Sequence, residues 1–448
     1  MTDLPVRVPL LEEVPSFLTS LSNLRENILL AVPAQALEQP ICSGQTITRW
    51  HMVMEPKAIR RILLEKLGNY PKSNVTKTLL GPAIGDSLFI AEGAHWRWQR
   101  RAAAPAFSHR SVTALAPVMS AAAERSCARI AAAGPKATNL AQEMVTTTLD
   151  VIADVTFSGD DMLDRDAVHA AIDGYIVQAG QVSLLDLLGV PPWVPRPGRS
   201  HAQKQLEVTK TAADAAITRR HTRGEGTVPD LLDLLLSAED PKSGRTMTTA
   251  ELRDNLLTFI VAGHETTAQT LAWALYLMGF DMDAQDRARV EAQEALQGRV
   301  AGAQDLEALP YIRRIIDETL RLYPAGGLLS RTAQAEDTLC GTRIRPGDTV
   351  MIPVYALGRH RGLWENPDSF RPDRFLNRKK IDRFAYLPFG DGPRVCIGAS
   401  FAVQEAVIIL ATLLSRFRFA SVKGKIPDPK MIITLRPEGG VWMTAEPV

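Results

Sequence analysis

The sequence predicts a mostly α-helical chain with a smaller β-rich part. Helical apolar spacing begins near Pro56 and dominates for roughly 250 residues. Segments rich in β-branched and large apolar residues are confined to regions near the two ends of the chain. One stretch, Leu252 to Phe280, runs without proline and is apolar on nearly every side, which only burial supports. With 448 residues, 46% hydrophobic and 23% charged, the composition is that of an ordinary globular protein.

Taken in order, residues 1–30 read as a proline-punctuated entry followed by an amphipathic helix. Residues 40–54 read as strand. The helical region from Pro56 is expected to break at Pro71, at Gly81-Pro82, at Gly134-Pro135, in the Pro191–Pro197 cluster and at Pro241. Thr248 and Glu251 have the spacing of a capping box, so a helix should start there and extend to Phe280, about 45 Å at ~1.5 Å per residue. Thr349 to Ile352 and Met431 to Leu435 read as strands, and the distant strands are expected to pair. Between them, residues 357–395 form a connection rich in Pro, Gly and Arg. Connections that long are uncommon unless they serve a function, and this one ends at Cys396. Gly398 to Phe417 reads as helix again.

The net charge of +1 offers no footprint for nucleic acid or an acidic membrane surface. Cys42, Cys127, Cys340 and Cys396 are irregularly spaced and form no C-x-x-C, so neither a disulfide framework nor a zinc ribbon is expected, and a reducing cytoplasm fits best. Asp3, Glu12 and Glu13 near the start argue against a signal peptide. The uncharged run Thr266 to Phe280 is shorter than the roughly 18 residues of a membrane span, so none is expected.

The chemistry centres on Phe389-Gly390-Asp391-Gly392-Pro393-Arg394-Val395-Cys396-Ile397-Gly398. An adjacent cation and a helix N-terminus both lower a thiol pKa, so Arg394 and the amides near Gly398 are expected to favour a thiolate. Gly392 and Gly398 permit tight turns and close backbone approach to a flat ligand, and Phe389 could shield the sulfur. The run is similar to the haem-thiolate signature of the cytochrome P450 superfamily, in which a Cys thiolate on haem iron favours O–O cleavage.

Further motifs support the resemblance. Within the long apolar helix, Ala262-Gly263-His264-Glu265-Thr266-Thr267 sets a carboxylate and hydroxyls where polar groups are costly. Gly263 weakens the helix, and Thr266 can bond back to a helix carbonyl and open a groove. By resemblance, Thr266 guides protons to dioxygen and Glu265 is its acid partner. Glu318-Thr319-Leu320-Arg321 and the later Arg374 resemble a three-residue ionic lock behind the haem. Trp96 and Arg100, one helical turn apart, resemble a propionate-binding element; Arg331 and Arg394 would be further propionate arginines.

The resemblance implies the cytochrome P450 fold, mostly α with a smaller β-rich part, as a single domain over 1–448. Its β-rich part would come from about 35–56, 325–360 and 428–446. It implies haem b held by Trp96, Arg100, Arg331, Phe389, Arg394, Cys396 and Gly398, with Cys396 on the iron. Glu265, Thr266 and Cys396 would be catalytic. The implied reaction inserts one oxygen of O2 into a lipophilic small molecule. Two electrons would come from a separate ferredoxin or flavodoxin-type donor, because no reductase is expected within the chain. Candidate pocket residues are Leu79, Leu80, Ile84, Phe89, Phe259, Ala262, Leu328 and Leu329. Gly326-Gly327 suggest extra room, and Arg97, Arg101, Arg378, Lys379 and Lys380 are candidates for a donor surface. A cytoplasmic monomer is expected. A peroxide-driven peroxygenase and a non-catalytic haem-thiolate sensor are the alternatives.

Overall fold

The computed structural model describes residues 4–12, 26–46, 48–157, 199–223 and 230–448. Most of the stretch where an early amphipathic helix is expected (13–25) and the proline cluster at 191–197 lie outside the described residues. The longer helices are α1 (Asn74–Ile84), α2 (Gly93–Ala103), α3 (Ala116–Ala133), α4 (Leu140–Phe157), α5 (Arg199–Arg223), α6 (Thr249–Phe280), α7 (Met282–Leu296), α8 (Pro310–Leu322) and α9 (Ala399–Arg416).

Helix α6 organises the rest. The Thr248 side chain accepts from the Glu251 amide and the Glu251 side chain accepts from the Thr248 amide, so both halves of the capping box are present. From there the helix runs 32 residues, about 48 Å at ~1.5 Å per residue. Helices α4, α5, α8 and α9 all pack on it. Gly263 is where α4 closes in: an added Cβ would come within 3.2 Å of Ile152 Cδ1. The space left by the missing side chain is therefore taken up by helix packing.

The strands are β1 (Ile41–Gln45), β2 (Arg49–Val53), β3 (Thr138–Asn139), β4 (Leu329–Thr332), β5 (Asp337–Leu339), β6 (Thr342–Ile344), β7 (Thr349–Ile352), β8 (Phe417–Ser421), β9 (Asp428–Met431), β10 (Leu435–Glu438) and β11 (Trp442–Pro447). The four-stranded sheet has the order β1-β2-β7-β4. Strand β2 is parallel to β7, with His51 opposite Val350, and β4 is antiparallel to β7, with Arg331 opposite the same Val350. Segments from opposite ends of the chain thus share one sheet.

Three expectations change. Residues 40–54 form a hairpin, β1 with β2, rather than one strand. Met431 to Leu435 is the turn of the β9–β10 hairpin, with Met431 paired to Leu435 across it. Gly81-Pro82 does not break α1, which continues through it to Ile84. The helix ends instead at Gly85, whose φ of +54° favours glycine and whose added Cβ would meet Asp254 Oδ2 at 2.0 Å.

Helix α9, not α6, is the helix long and apolar enough to cross a membrane among the described residues. It is 72% buried against the rest of the fold, as a core helix is.

Candidate active site

The connection expected to matter for its length closes on Cys396 through short 3-10 turns at Pro372–Phe375, Arg378–Lys380, Arg383–Ala385 and Gly392–Arg394. The Cys396 amide donates to Phe389 O at 2.9 Å, which closes the final loop. Gly392 sits at φ +71°, and a Cβ there would meet Leu63 O at 2.2 Å, so the loop lies against the 61–65 helical turn with no room for a side chain. Gly398 caps α9, and its amide hydrogen-bonds the Cys396 sulfur.

Cys396 is exposed by accessible area, yet protein atoms surround it closely enough that burial pushes its thiol pKa up. Both hold if the sulfur faces an internal cavity rather than bulk water. The Gly398 amide, Arg100 and Lys72 pull the pKa part of the way back. Arg394, expected to do this, is engaged elsewhere. It lies 4.5 Å over the Trp96 ring, donates to Ala91 O at 2.8 Å and pairs with Glu92.

Four cations converge on this cavity. Arg100 projects from α2, and its charge is felt at Cys396. Arg331 comes from β4 and Arg394 from the cysteine loop. Lys72 sits in an isolated bridge to Arg331, with its Nζ 3.3 Å from the Phe89 ring centroid. Lys72 and Arg331 both feel Arg394 and Glu92, and Lys72 also feels Cys396. Burial and the neighbouring arginines hold Lys72 well below the usual lysine range; burial and Arg394 bring Arg331 down to about 10. Among the described residues, Glu92 is the one carboxylate acting on this group. Two buried guanidinium nitrogens, Arg331 Nε and Arg394 Nη1, have no hydrogen-bond partner among the described residues. Orphaned donors and surplus positive charge around a cysteine sulfur fit a flat ligand that bears two carboxylates and a metal, as haem does. Lys72 carries no motif in the sequence; only its pairing with Arg331 brings it to the site.

The burial of helix α6 is interrupted at its middle. Ala262 is exposed and Thr266 part-exposed, while Ile260, His264 and Glu265 are buried. Thr266 Oγ1 donates to Ala262 O at 2.7 Å and Thr267 Oγ1 to Gly263 O at 3.1 Å. Glu265 does not join Thr266. It accepts from Thr434 Oγ1 at 2.5 Å and from Arg436 Nε at 2.6 Å. Neighbouring residues point about 100° apart around a helix of ~3.6 residues per turn. With Thr266 on the part-exposed side, Glu265 meets the β9–β10 hairpin.

Of the pocket candidates, Ile84 and Phe259 are buried, and Phe259 meets Phe107 edge-on at 5.0 Å. Leu80, Phe89, Leu328 and Leu329 are half-buried. The side chain of Leu79 lies outside the described residues. Gly326 opens on free space, but a Cβ at Gly327 would meet Met431 Sδ at 2.8 Å, so the extra room is at one glycine only.

Glu318, Arg321 and Arg374 come together as a buried ion network. Arg321 donates from Nε and Nη2 to the two Glu318 oxygens, each at 2.7 Å. Its remaining hydrogens go to the carbonyls of Gly358, Pro367 and Ser369. Arg374 Nε reaches Glu318 Oε1 at 3.4 Å, and its other nitrogens hold Glu365 O and Asn366 O. Of the donor-surface candidates, Arg101 is paired with Asp240 and Arg378 with Asp317, while Arg97, Lys379 and Lys380 are exposed.

Comparison with known proteins agrees with this geometry. Residues 40–443 match the family model described as Cytochrome P450. The chain is 32% identical to cyclooctatin synthase of Streptomyces melanosporofaciens over 86% of its length and 84% of that protein. It is also 32% identical to cyclooctat-9-en-7-ol 5-monooxygenase of the same organism, over 84% of the chain and 82% of that protein. The crystal structure of the cytochrome P450DA heme domain superposes with a TM-score of 0.80 at 26% identity, covering 91% of this chain and 90% of that one.

Proposed function

The chain belongs to the cytochrome P450 family, a haem b monooxygenase with a cysteine thiolate on iron, and on that premise we propose that it oxygenates a neutral, lipophilic, terpenoid-like molecule. The observation that carries this reading is the cluster of cations around Cys396, two of which keep a buried nitrogen without a partner among the described residues, set against the open middle of α6. When bound, the haem supplies reductive activation of O2.

The residues divide the remaining work. Cys396 would bind the haem iron through its sulfur. The Gly398 amide, Arg100 and Lys72 stabilise its negative charge. Lys72, Arg100, Arg331 and Arg394 would hold the haem carboxylates, with the Trp96 ring against Arg394. Phe389 packs against the core and keeps water from the sulfur side. The Thr266 hydroxyl holds a proton at the one polar point where α6 opens. Glu318, Arg321 and Arg374 brace the connection that carries the cysteine loop.

The substrate class rests on the apolar character of Leu80, Ile84, Phe89, Phe259, Ala262, Leu328 and Leu329. It rests also on the similarity to cyclooctatin synthase and to cyclooctat-9-en-7-ol 5-monooxygenase. Electrons come from a separate ferredoxin or flavodoxin-type donor, for which exposed Arg97, Lys379 and Lys380 offer positive charge. The protein is a single-domain monomer.

The test is a spin-state titration of the haem-loaded protein against neutral terpenoids, steroids and fatty acids, followed by turnover with O2 and a reduced donor. Terpenoids should give the largest shift and a product carrying one added oxygen. Preference for fatty acids would overturn the substrate class. In the same assay, Thr266→Ala should raise peroxide release per O2 consumed. Unchanged coupling would remove Thr266 from proton transfer.

A further inference from the structure

Ser43 on β1 stands directly opposite His51 on β2. Thr46 N donates to Thr48 O and Met54 N to Pro40 O, which marks the bonded pairs of this hairpin. Bonded and non-bonded pairs alternate along an antiparallel ladder, so Ser43 and His51 are a non-bonded pair, the kind whose side chains lie closest. Ser43 Oγ is 2.8 Å from His51 Nδ1. The other ring nitrogen, Nε2, is 3.1 Å from Asp348 Oδ2, just ahead of β7. The hydroxyl is exposed, while His51 and Asp348 are each only 3% exposed. Asp348 Oδ1 accepts from Arg49 Nε and Nη2, each at 3.0 Å, and Oδ2 accepts from the Arg345 amide at 2.8 Å. Burial opposes charge on Asp348, but the Arg345 amide, Arg49 and His51 outweigh it and hold its carboxyl below the usual range. An ionised carboxylate only accepts hydrogen bonds, so the His51 ring proton sits on Nε2 and Nδ1 keeps a lone pair. The hydrogen between Nδ1 and Ser43 is then the hydroxyl's own. The same alternation turns the Ser43 amide away from β2. Because β1 ends the sheet order, that amide points out from a free edge.

We propose that Ser43, His51 and Asp348 form a second reactive centre, one that hydrolyses small carboxylic esters. Ser43 is the nucleophile, His51 its base, and Asp348 a positioning residue that acts through His51. A serine, histidine and aspartate in this chain of contacts recur on unrelated folds and are recognised by geometry and roles. Here the ring is turned round, with the serine on Nδ1 and the carboxylate on Nε2; either nitrogen serves as base when the other carries the proton. Ser43 Oγ bonds to the ester carbonyl carbon as its proton passes to His51 Nδ1. The outward Ser43 amide donates to the oxyanion that forms. The imidazolium, stabilised by Asp348, gives that proton to the leaving alkoxide, and the C–O bond to the alcohol breaks. Water then attacks the acyl-serine, passing a proton through His51 back to Ser43 Oγ, and a carboxylic acid leaves. Nothing is oxidised or reduced, and water is the only co-reactant. An exposed hydroxyl at a sheet edge suits small acyl groups that need no deep pocket.

The test uses the haem-loaded full chain without any electron donor, so it is independent of the oxygenase reading. A fluorophosphonate probe, which labels activated serines, should attach at Ser43 by peptide mapping, and the label should vanish in Ser43→Ala. Hydrolysis of p-nitrophenyl acetate, measured above the S43A background, should fall about a hundredfold in His51→Gln, the scale of a lost general base. Asp348→Asn should lower kcat with KM unchanged, and Asp348→Glu should recover part of the loss. The ferrous–CO Soret band should stay intact in S43A and H51Q, which separates lost chemistry from lost fold. Absence of label at Ser43, S43A hydrolysing as fast as the parent, or H51Q matching the parent would each overturn the proposal. If H51Q lost the Soret band together with hydrolysis, while S43A kept both, the cluster would be a brace for the hairpin and the proposal would fall.

Discussion

Two arginine clusters lie on this fold, one on either side of the question of what is satisfied. In the Glu318–Arg321–Arg374 network, Arg321 is fully buried and bonded to both oxygens of a carboxylate and to three backbone carbonyls. In the cluster around Cys396, Arg331 and Arg394 each keep a buried nitrogen without a partner, and Lys72 is pressed toward its neutral form. Residue type and burial are similar; the completeness of pairing differs. Breaking a closed network leaves an uncompensated charge, whereas an open one awaits an anion. The first is architecture and the second is a binding site.

The largest test of that contrast is at the sulfur. Cys396→Ala should abolish the red-shifted Soret band of the ferrous–CO complex while the haem-free protein stays folded; a variant that kept the band would move the ligand elsewhere. Next, Glu318→Ala strands Arg321 and should cost about 3–5 kcal/mol, a large share of a typical stability of ~5–15 kcal/mol. Urea unfolding should record that loss equally with and without haem. A loss confined to the haem-loaded form would break the comparison. Third, Arg331→Met should weaken haem affinity by roughly tenfold, about 1.4 kcal/mol, within the range for hydrogen bonds to charged groups. Because it removes an unpaired charge, it should leave the haem-free protein as stable or more so, which paired haem titrations and unfolding curves would reveal. Smallest, Arg374→Lys keeps the charge at a position already 10% exposed and should cost about 1 kcal/mol or less.

Glu405 on α9, whose side-chain partner is Thr267, shows a third way to bury a charged residue type. It has neither a closed network nor an awaited ligand, and its burial favours the protonated form. Nothing local to α9 marks it out, since its solvation depends on α6 packing across it. The same blindness covers Lys72, which meets Arg331 only through a bridge spanning most of the chain. It also explains Glu265: beside Thr266 in the sequence, it turns to Arg436 because a helix sends adjacent side chains to different faces. Gly263 was legible as a special position, but its partner Ile152 was not.

What the sequence by itself determined was whatever is carried by spacing within one element. The capping box at Thr248, the helix to Phe280, the Glu318–Arg321 pair one turn apart and the glycines that shape the Cys396 loop all follow from local backbone geometry. What only the tertiary structure decided was pairing across elements. It settled which cations share a cavity, which carboxylate finds an arginine and which is left to a hydroxyl. Charge and solvation depend on every neighbour within a few ångströms, and for these residues the neighbours lie far away along the chain.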